Sequence, residues 1–202
     1  MIGIIDYGVG NLFSLCSSCE DIGEEAFVSG DPAELAKADR LILPGVGAFE
    51  DAAKKLRDTG MADFVRTQGL EGKPLLGICL GMQLLFERSY EYGCHEGLGL
   101  LKGQVVPMEG KLPADLKIPH MGWNTIEGLE SPLFRNVPEG SFVYYVHYYR
   151  PDIAEGQTIA RTSYSEGVFS AALHRDNFFG TQFHPEKSGE VGARIISNFI
   201  EL

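Results

Sequence analysis

Lys73-Pro74-Leu75-Leu76-Gly77-Ile78-Cys79-Leu80-Gly81-Met82-Gln83-Leu84-Leu85-Phe86 is the stretch on which the reading of the chain turns. Residues 75–78 form a short apolar run launched by Pro74, as suits a strand buried on both faces. Residues 80–86 are good helix formers with apolar spacing, which predicts a helix. Cys79 falls at the joint between them. Gly77 and Gly81 flank it symmetrically, giving Gly-x-Cys-x-Gly, a nucleophile elbow with sulfur in place of the serine oxygen. So tight a turn brings strand and helix backbones together, which requires small residues two before and two after the cysteine. It lifts the thiol into a cleft at a helix N-terminus, where free N–H groups and the dipole favour negative charge. A lone cysteine beside an ordinary turn is more often a core residue. The paired glycines, and partners further along, make this one a candidate nucleophile.

The chain has 202 residues, 44% of them hydrophobic, which is the size and composition of one globular domain spanning 1–202. No apolar run approaches the ~20 residues needed to span a bilayer. The N-terminus lacks a basic region and its apolar run is short, unlike a signal peptide, so a cytoplasmic protein is expected. A net charge of −11 argues against nucleic acid and anionic membranes as partners, since both demand clustered Lys and Arg. Cys16-Ser17-Ser18-Cys19 has redox or zinc spacing. It lies inside a predicted helix with no second such pair, and reads as small residues on a helix face. No metal or cofactor is expected.

Along the chain, residues 1–6 form a first strand, and Asn11 is placed to cap a helix running to residue 22. Gly8-Val9-Gly10 resembles the start of a dinucleotide fingerprint, but its third glycine would fall at Phe13. A second strand covers 25–29. Asp31-Pro32-Ala33-Glu34 opens a short helix with a cap, an N1 proline and a capping-box glutamate. A third strand, 40–43, ends in Pro44-Gly45-Val46-Gly47, and helical pattern runs from 49 to 68, broken near Gly60. This alternation predicts an α/β fold with a doubly wound, mostly parallel central sheet and flanking helices. Ligands in such sheets bind at the carboxyl ends of strands. The C-terminal half reads as added antiparallel strands near 103–107, 142–148, 158–162, 169–173 and 178–183, closed by a helix over 189–202.

His184-Pro185-Glu186 follows the last of these strands. Pro185 fixes a bend, so His184 can face the thiol while Glu186 approaches the imidazole. Cys79, His184 and Glu186 then have the composition of a catalytic triad: nucleophile, base and orienting carboxylate. A metal reading of His-x-Glu ranks below it, since His95, His120, His147 and His174 are scattered. Acyl chemistry also needs an oxyanion hole. The Leu80 N–H, next after the nucleophile, is one candidate donor and the Val46 N–H the other. Gly45 and Gly47 give the peptides around Val46 the freedom to present either an N–H or a carbonyl.

These residues carry a resemblance. Gly77-Ile78-Cys79-Leu80-Gly81-Met82-Gln83 with His184-Pro185-Glu186 resembles the class I, triad-type glutamine amidotransferases. Four further blocks narrow it to the glutaminase subunits of imidazole glycerol phosphate synthase: Asp6-Tyr7-Gly8-Val9-Gly10-Asn11-Leu12, Pro44-Gly45-Val46-Gly47-Ala48-Phe49, Pro119-His120-Met121-Gly122-Trp123-Asn124 and Gln182-Phe183-His184-Pro185-Glu186-Lys187-Ser188. The resemblance implies hydrolysis of glutamine through a Cys79 thioester. It implies delivery of ammonia to a (β/α)₈-barrel cyclase subunit, which makes imidazole glycerol phosphate and aminoimidazole carboxamide ribotide in histidine biosynthesis. It implies activation by that cyclase and its ligand. Gly47, Gln83 and Tyr144 match glutamine-pocket positions; Asn11, Met121, Trp123 and Lys187 match the face toward the cyclase. Trp123, between Gly122 and Asn124, is expected in a polar turn as an interface anchor rather than in the core. The family usually carries a small hydroxyl residue after Val146-His147, where this chain has Tyr148, which bears on the packing of His147. A class I glutaminase serving another synthase, and a catalytically silent regulatory module, are the alternatives; the second predicts a lost triad member, and none is lost.

Overall fold

The computed structural model describes residues 1–108, 117–152, 156–165 and 167–202. The first half alternates as expected: β1 (Ile2–Ile5), α1 (Leu12–Asp21), β2 (Ala26–Ser29), α2 (Pro32–Leu35), β3 (Arg40–Leu43), α3 (Phe49–Asp58), α4 (Met61–Leu70), β4 (Leu75–Ile78) and α5 (Leu80–Leu84). Gly60, in the left-handed region at φ 75°, makes the break between α3 and α4. The second half contributes β5 (Phe86–Ser89), β6 (His95–Glu96), β7 (Leu101–Pro107), β8 (His120–Ile126), β9 (Ser141–His147), β10 (Tyr149–Asp152), β11 (Thr158–Tyr164), β12 (Gly167–Arg175), β13 (Phe178–Thr181) and α6 (Gly189–Glu201).

The central sheet has seven strands in the order β11-β12-β13-β4-β3-β1-β2. From β13 to β2 neighbouring strands run parallel, and β12 and β11 extend that sheet with antiparallel pairings. The expected α/β class and mostly parallel sheet are thus found. Alternate strand residues feed opposite faces, as the two-residue period requires. Leu41, Leu43 and Leu75 pack on the side of α3 and α4, while Ile42, Leu76 and Ile78 pack on the side of α1 and α6. β4 lies between β3 and β13, so three parallel strands deliver their carboxyl ends side by side. After them come Pro44, Cys79 and Gln182 respectively.

Several local expectations are corrected. The helix after Cys79 stops at Leu84, and Phe86 begins β5 rather than ending the helix. The Leu84 and Leu85 carbonyls accept N–H groups from Leu98, Leu100 and Leu101, so their bonds go to a later loop instead of a further helical turn. The added strands, expected without assignment to a sheet, divide among three: β11, β12 and β13 join the central sheet. β10-β7-β5-β6 form a second sheet, and β8 and β9 a separate two-stranded ribbon. Asn11 precedes α1 but its side chain makes no cap bond. Asp31 does cap α2, accepting from the Ala33 N–H. Glu34 bonds the Ser29 hydroxyl instead of closing a capping box. Cys16 and Cys19 are free thiols on α1, as read from sequence. No helix among the described residues is long and apolar enough to cross a membrane.

Candidate active site

Cys79 occupies the turn between β4 and α5 at φ 54°, a left-handed conformation that is strained for a residue bearing a side chain. Space explains the flanking glycines. A Cβ on Gly77 would lie 2.6 Å from the Met82 Cα, and one on Gly81 would overlap the Leu43 carbonyl of β3. Gly77 therefore admits its own helix, whereas Gly81 admits the neighbouring strand. The thiol is 7% exposed. Around its sulfur stand the Val146 carbonyl at 3.8 Å and the Gln182 amide nitrogen at 3.7 Å.

His184 follows β13 and is held at its backbone. Its N–H bonds the Tyr144 carbonyl at 2.9 Å, and its carbonyl accepts the Ser188 hydroxyl at 2.6 Å. Pro185 turns the chain into a 3-10 segment, Pro185–Lys187, which brings the Glu186 carboxylate back onto the ring. The Nδ1–Oε1 distance is 2.8 Å, and both side chains are buried. Nδ1–H donates to the carboxylate, leaving Nε2 for the sulfur; Nε2 makes no well-aligned hydrogen bond among the described residues. Burial alone would lower the imidazole's proton affinity. The Cys79 sulfur and Glu186 outweigh it and raise the His184 pKa to about 10.

A cleft of about 440 Å³ opens over the sulfur, lined by Cys79, His184, Val46, Gly47, Leu80 and Gln83 among others. Those expected positions meet there. Tyr144 does not line it: its ring packs 6.0 Å from Trp123 with Lys187 Nζ 5.8 Å above it. It stands with the residues expected on the partner face. Met121 and Trp123 are 61% and 56% exposed. Trp123 lies within β8 rather than in a turn, because Gly122 pairs with Tyr145 of β9 without breaking the ladder. Asn11 is half-buried at the head of α1, which packs against the Pro185–Lys187 turn.

Three groups escaped sequence reasoning. Glu91 lines the cleft with its carboxyl half-buried, and burial raises its pKa. It also accepts the Phe49 N–H at 2.8 Å, while the buried Tyr7 hydroxyl donates to the Pro44 carbonyl at 2.9 Å. The segment carrying Val46 is thereby fastened at both ends. Within it, Gly45 is needed for room, since a Cβ would lie 2.6 Å from the Gly81 N, whereas Gly47 has φ 89° and open space. The conformational freedom expected of both glycines thus belongs to Gly47 alone.

The third group is a pair of buried imidazoles. His147 Nδ1 lies 2.9 Å from the Tyr149 carbonyl, and His147 Nε2 lies 2.9 Å from His120 Nδ1. Asn124 Nδ2 reaches His120 Nε2 at 3.2 Å. A carbonyl only accepts, so each ring is neutral with its proton on Nδ1. Burial lowers the pKa of His120 to about 4 and of His147 to about 3. Tyr148 stands at the cleft rim, 56% exposed, while the buried His147 ring packs against Tyr145 and Phe169. Among the described residues no group of His, Cys, Asp and Glu side chains is clustered to hold a metal ion.

A family profile described as glutamine amidotransferase class-I matches residues 4–202. The structure of PurLQS from Thermotoga maritima superposes with a TM-score of 0.75 at 21% identity, covering 99% of this chain and 97% of that one. The chain belongs to the class I glutamine amidotransferases. It is 51% identical to the imidazole glycerol phosphate synthase subunit HisH of Geobacillus thermodenitrificans, over 100% of this chain and 96% of the relative. It is 46% identical to that of Wolinella succinogenes, over the full length of both. Within the class, it belongs to the HisH family.

Proposed function

We propose that Cys79, His184 and Glu186 carry out the glutaminase reaction of this family within a single domain spanning 1–202. The observation that carries the reading is the ordered imidazole: Glu186 holds the Nδ1–H, and Nε2 is left to exchange a proton with the sulfur. His184 Nε2 takes the Cys79 thiol proton, the thiolate attacks the side-chain amide carbon of glutamine, and the same Nε2–H then protonates the departing nitrogen as the C–N bond breaks. Ammonia leaves and a thioester remains. His184 then removes a proton from water, whose oxygen adds to the thioester; sulfur is expelled and glutamate released. The N–H groups of Leu80 and Val46 are the donors to the developing oxyanion. Both Gln83 amide hydrogens are engaged by the Tyr149 carbonyl and Gln182, so its oxygen faces the substrate. Glu91 complements the substrate's ammonium, and Gly47 leaves space for it.

Ammonia then passes to a cyclase subunit in the cytoplasm. The exposed Met121 and Trp123, with Lys187, Tyr144 and Asn11, form the surface for that partner, aromatic and partly basic on a chain of net charge −11. Ammonia release from glutamine, measured with and without the cyclase and its ligand, tests the reading. Cys79→Ala should abolish it while the complex still consumes free ammonia. Retained hydrolysis in that variant removes Cys79 from the mechanism. Equal turnover alone and in the liganded complex removes the activation by the cyclase.

A further inference from the structure

The Gln182 side chain is fully buried, and its amide lies between Gln83 and the nucleophilic sulfur. The direction in which that amide points is determined by its neighbours. The Tyr149 carbonyl accepts from His147 Nδ1 and from Gln83 Nε2 at 3.1 Å, and a carbonyl cannot donate. Gln83 must therefore keep its NH₂ on that side. The same NH₂ lies 3.0 Å from Gln182 Oε1, so Gln182 must turn its oxygen to Gln83 and its own NH₂ to Cys79. Reversing either amide would set oxygen against oxygen in a buried site.

The sulfur has an acceptor on another side. The Val146 carbonyl, at 3.8 Å, suits a thiol but opposes a thiolate. Sulfur is anionic twice in the proposed cycle, before it attacks and when the thioester collapses. A donor aimed at it favours both states.

We propose that Gln182 is a further catalytic residue: its amide N–H donates to the Cys79 sulfur, in a direction imposed by Gln83 and the Tyr149 carbonyl. This rests on the reading of Cys79 as the nucleophile. At the elbow the N–H steadies the anion against the Val146 carbonyl. In the second half-reaction it assists departure of sulfur as the thioester C–S bond breaks. Gln182 holds no exchangeable charge and transfers no proton.

Alkylation of the full chain by iodoacetamide, without glutamine, tests the proposal. It is followed separately at each cysteine by mass spectrometry, with the exposed Cys94 as internal reference. Gln182→Leu should slow alkylation of Cys79 about tenfold at neutral pH, the size expected for losing one hydrogen bond to an ionised group. The deficit should close as the pH is raised, because strong base ionises the sulfur with or without the donor. Gln83→Leu should produce a smaller deficit with the same pH dependence, since it frees the Gln182 amide to turn. It also serves if Gln182→Leu does not fold. Wild-type alkylation in either folded variant overturns the proposal, as does a deficit that persists unchanged at high pH, which signals an obstructed pocket. Because no glutamine is present, a chain that alkylates as expected yet releases no ammonia counts against the glutaminase reading and not against the role of Gln182.

Discussion

The Cys79 elbow and the β8–β9 ribbon meet at one cleft, yet they hold their side chains by opposite means. At the elbow the conformation is enforced by missing atoms: Gly77 and Gly81 let backbones approach where any Cβ would collide. In the ribbon it is enforced by added bonds, from Asn124 through His120 and His147 to the Tyr149 carbonyl. The elbow is therefore vulnerable to enlargement at either glycine. The ribbon tolerates changes of shape better than changes of protonation. The candidate nucleophile is held by steric contact, and the wall facing it by directional polar contacts.

The contrast is broken most severely at Gly81. Gly81→Ala should cost more than about 4 kcal/mol, because the clash is with backbone that cannot rotate away. Urea denaturation measures it, and a cost near zero would show that β3 and α5 can separate.

The next effect belongs to the ribbon. His120 and His147 have folded pKa values lowered to about 4 and about 3 from an ordinary 6.5. The unfolded chain binds more protons below 6.5, so their stabilisation is complete above that pH and is lost as pH falls through the folded values. Each imidazole should remove about 1.4 kcal/mol per pH unit across that window. His120→Phe, keeping an aromatic ring against Tyr145 and Tyr164, should leave a visibly shallower acid limb in denaturation curves taken between pH 7 and pH 4. An unchanged slope would mean that the pair is protonated in the folded state.

On the outer face of the ribbon, Trp123→Ala should weaken cyclase binding by about 2 kcal/mol with stability preserved, as titration calorimetry would record. Unaltered affinity would place the interface elsewhere. The smallest effect expected is at Gly47, where a Cβ meets nothing within 4 Å and only the positive φ is strained. Gly47→Ala should cost about 1 kcal/mol of stability. A cost rivalling that of Gly81→Ala would erase the distinction between room and conformation.

What was legible in the sequence was what is local. The elbow, the His184-Pro185-Glu186 bend and the alternation of strand and helix each announce themselves within a few residues, and the sheet class followed. What was not legible is settled by distant partners. The end of α5 depends on Leu98, Leu100 and Leu101 claiming the Leu84 and Leu85 carbonyls. Trp123 sits in a strand because distant β9 pairs across Gly122, setting Tyr145 opposite it. Tyr144 was expected at the pocket from the family resemblance, and its ring packs beside Trp123 and Lys187. Nothing near Glu91 in the chain hints that it reaches toward the cleft, and the Tyr7 and Gln182 contacts likewise bridge separate elements.

The anchoring of the segment between Pro44 and Phe49 has a mechanical consequence. With the Pro44 carbonyl tied to Tyr7 and the Phe49 N–H tied to Glu91, neither end is free to travel. A chain clamped at both ends can still make a crankshaft turn of an inner peptide, its two flanking torsions compensating. Such a turn leaves the contour length and the packing of β3 and α3 unchanged, yet it reverses which way an N–H points. The segment therefore resembles a rotor with fixed bearings, its inner peptides lying between Gly45 and the unhindered, positive-φ Gly47, with the Val46 side chain exposed.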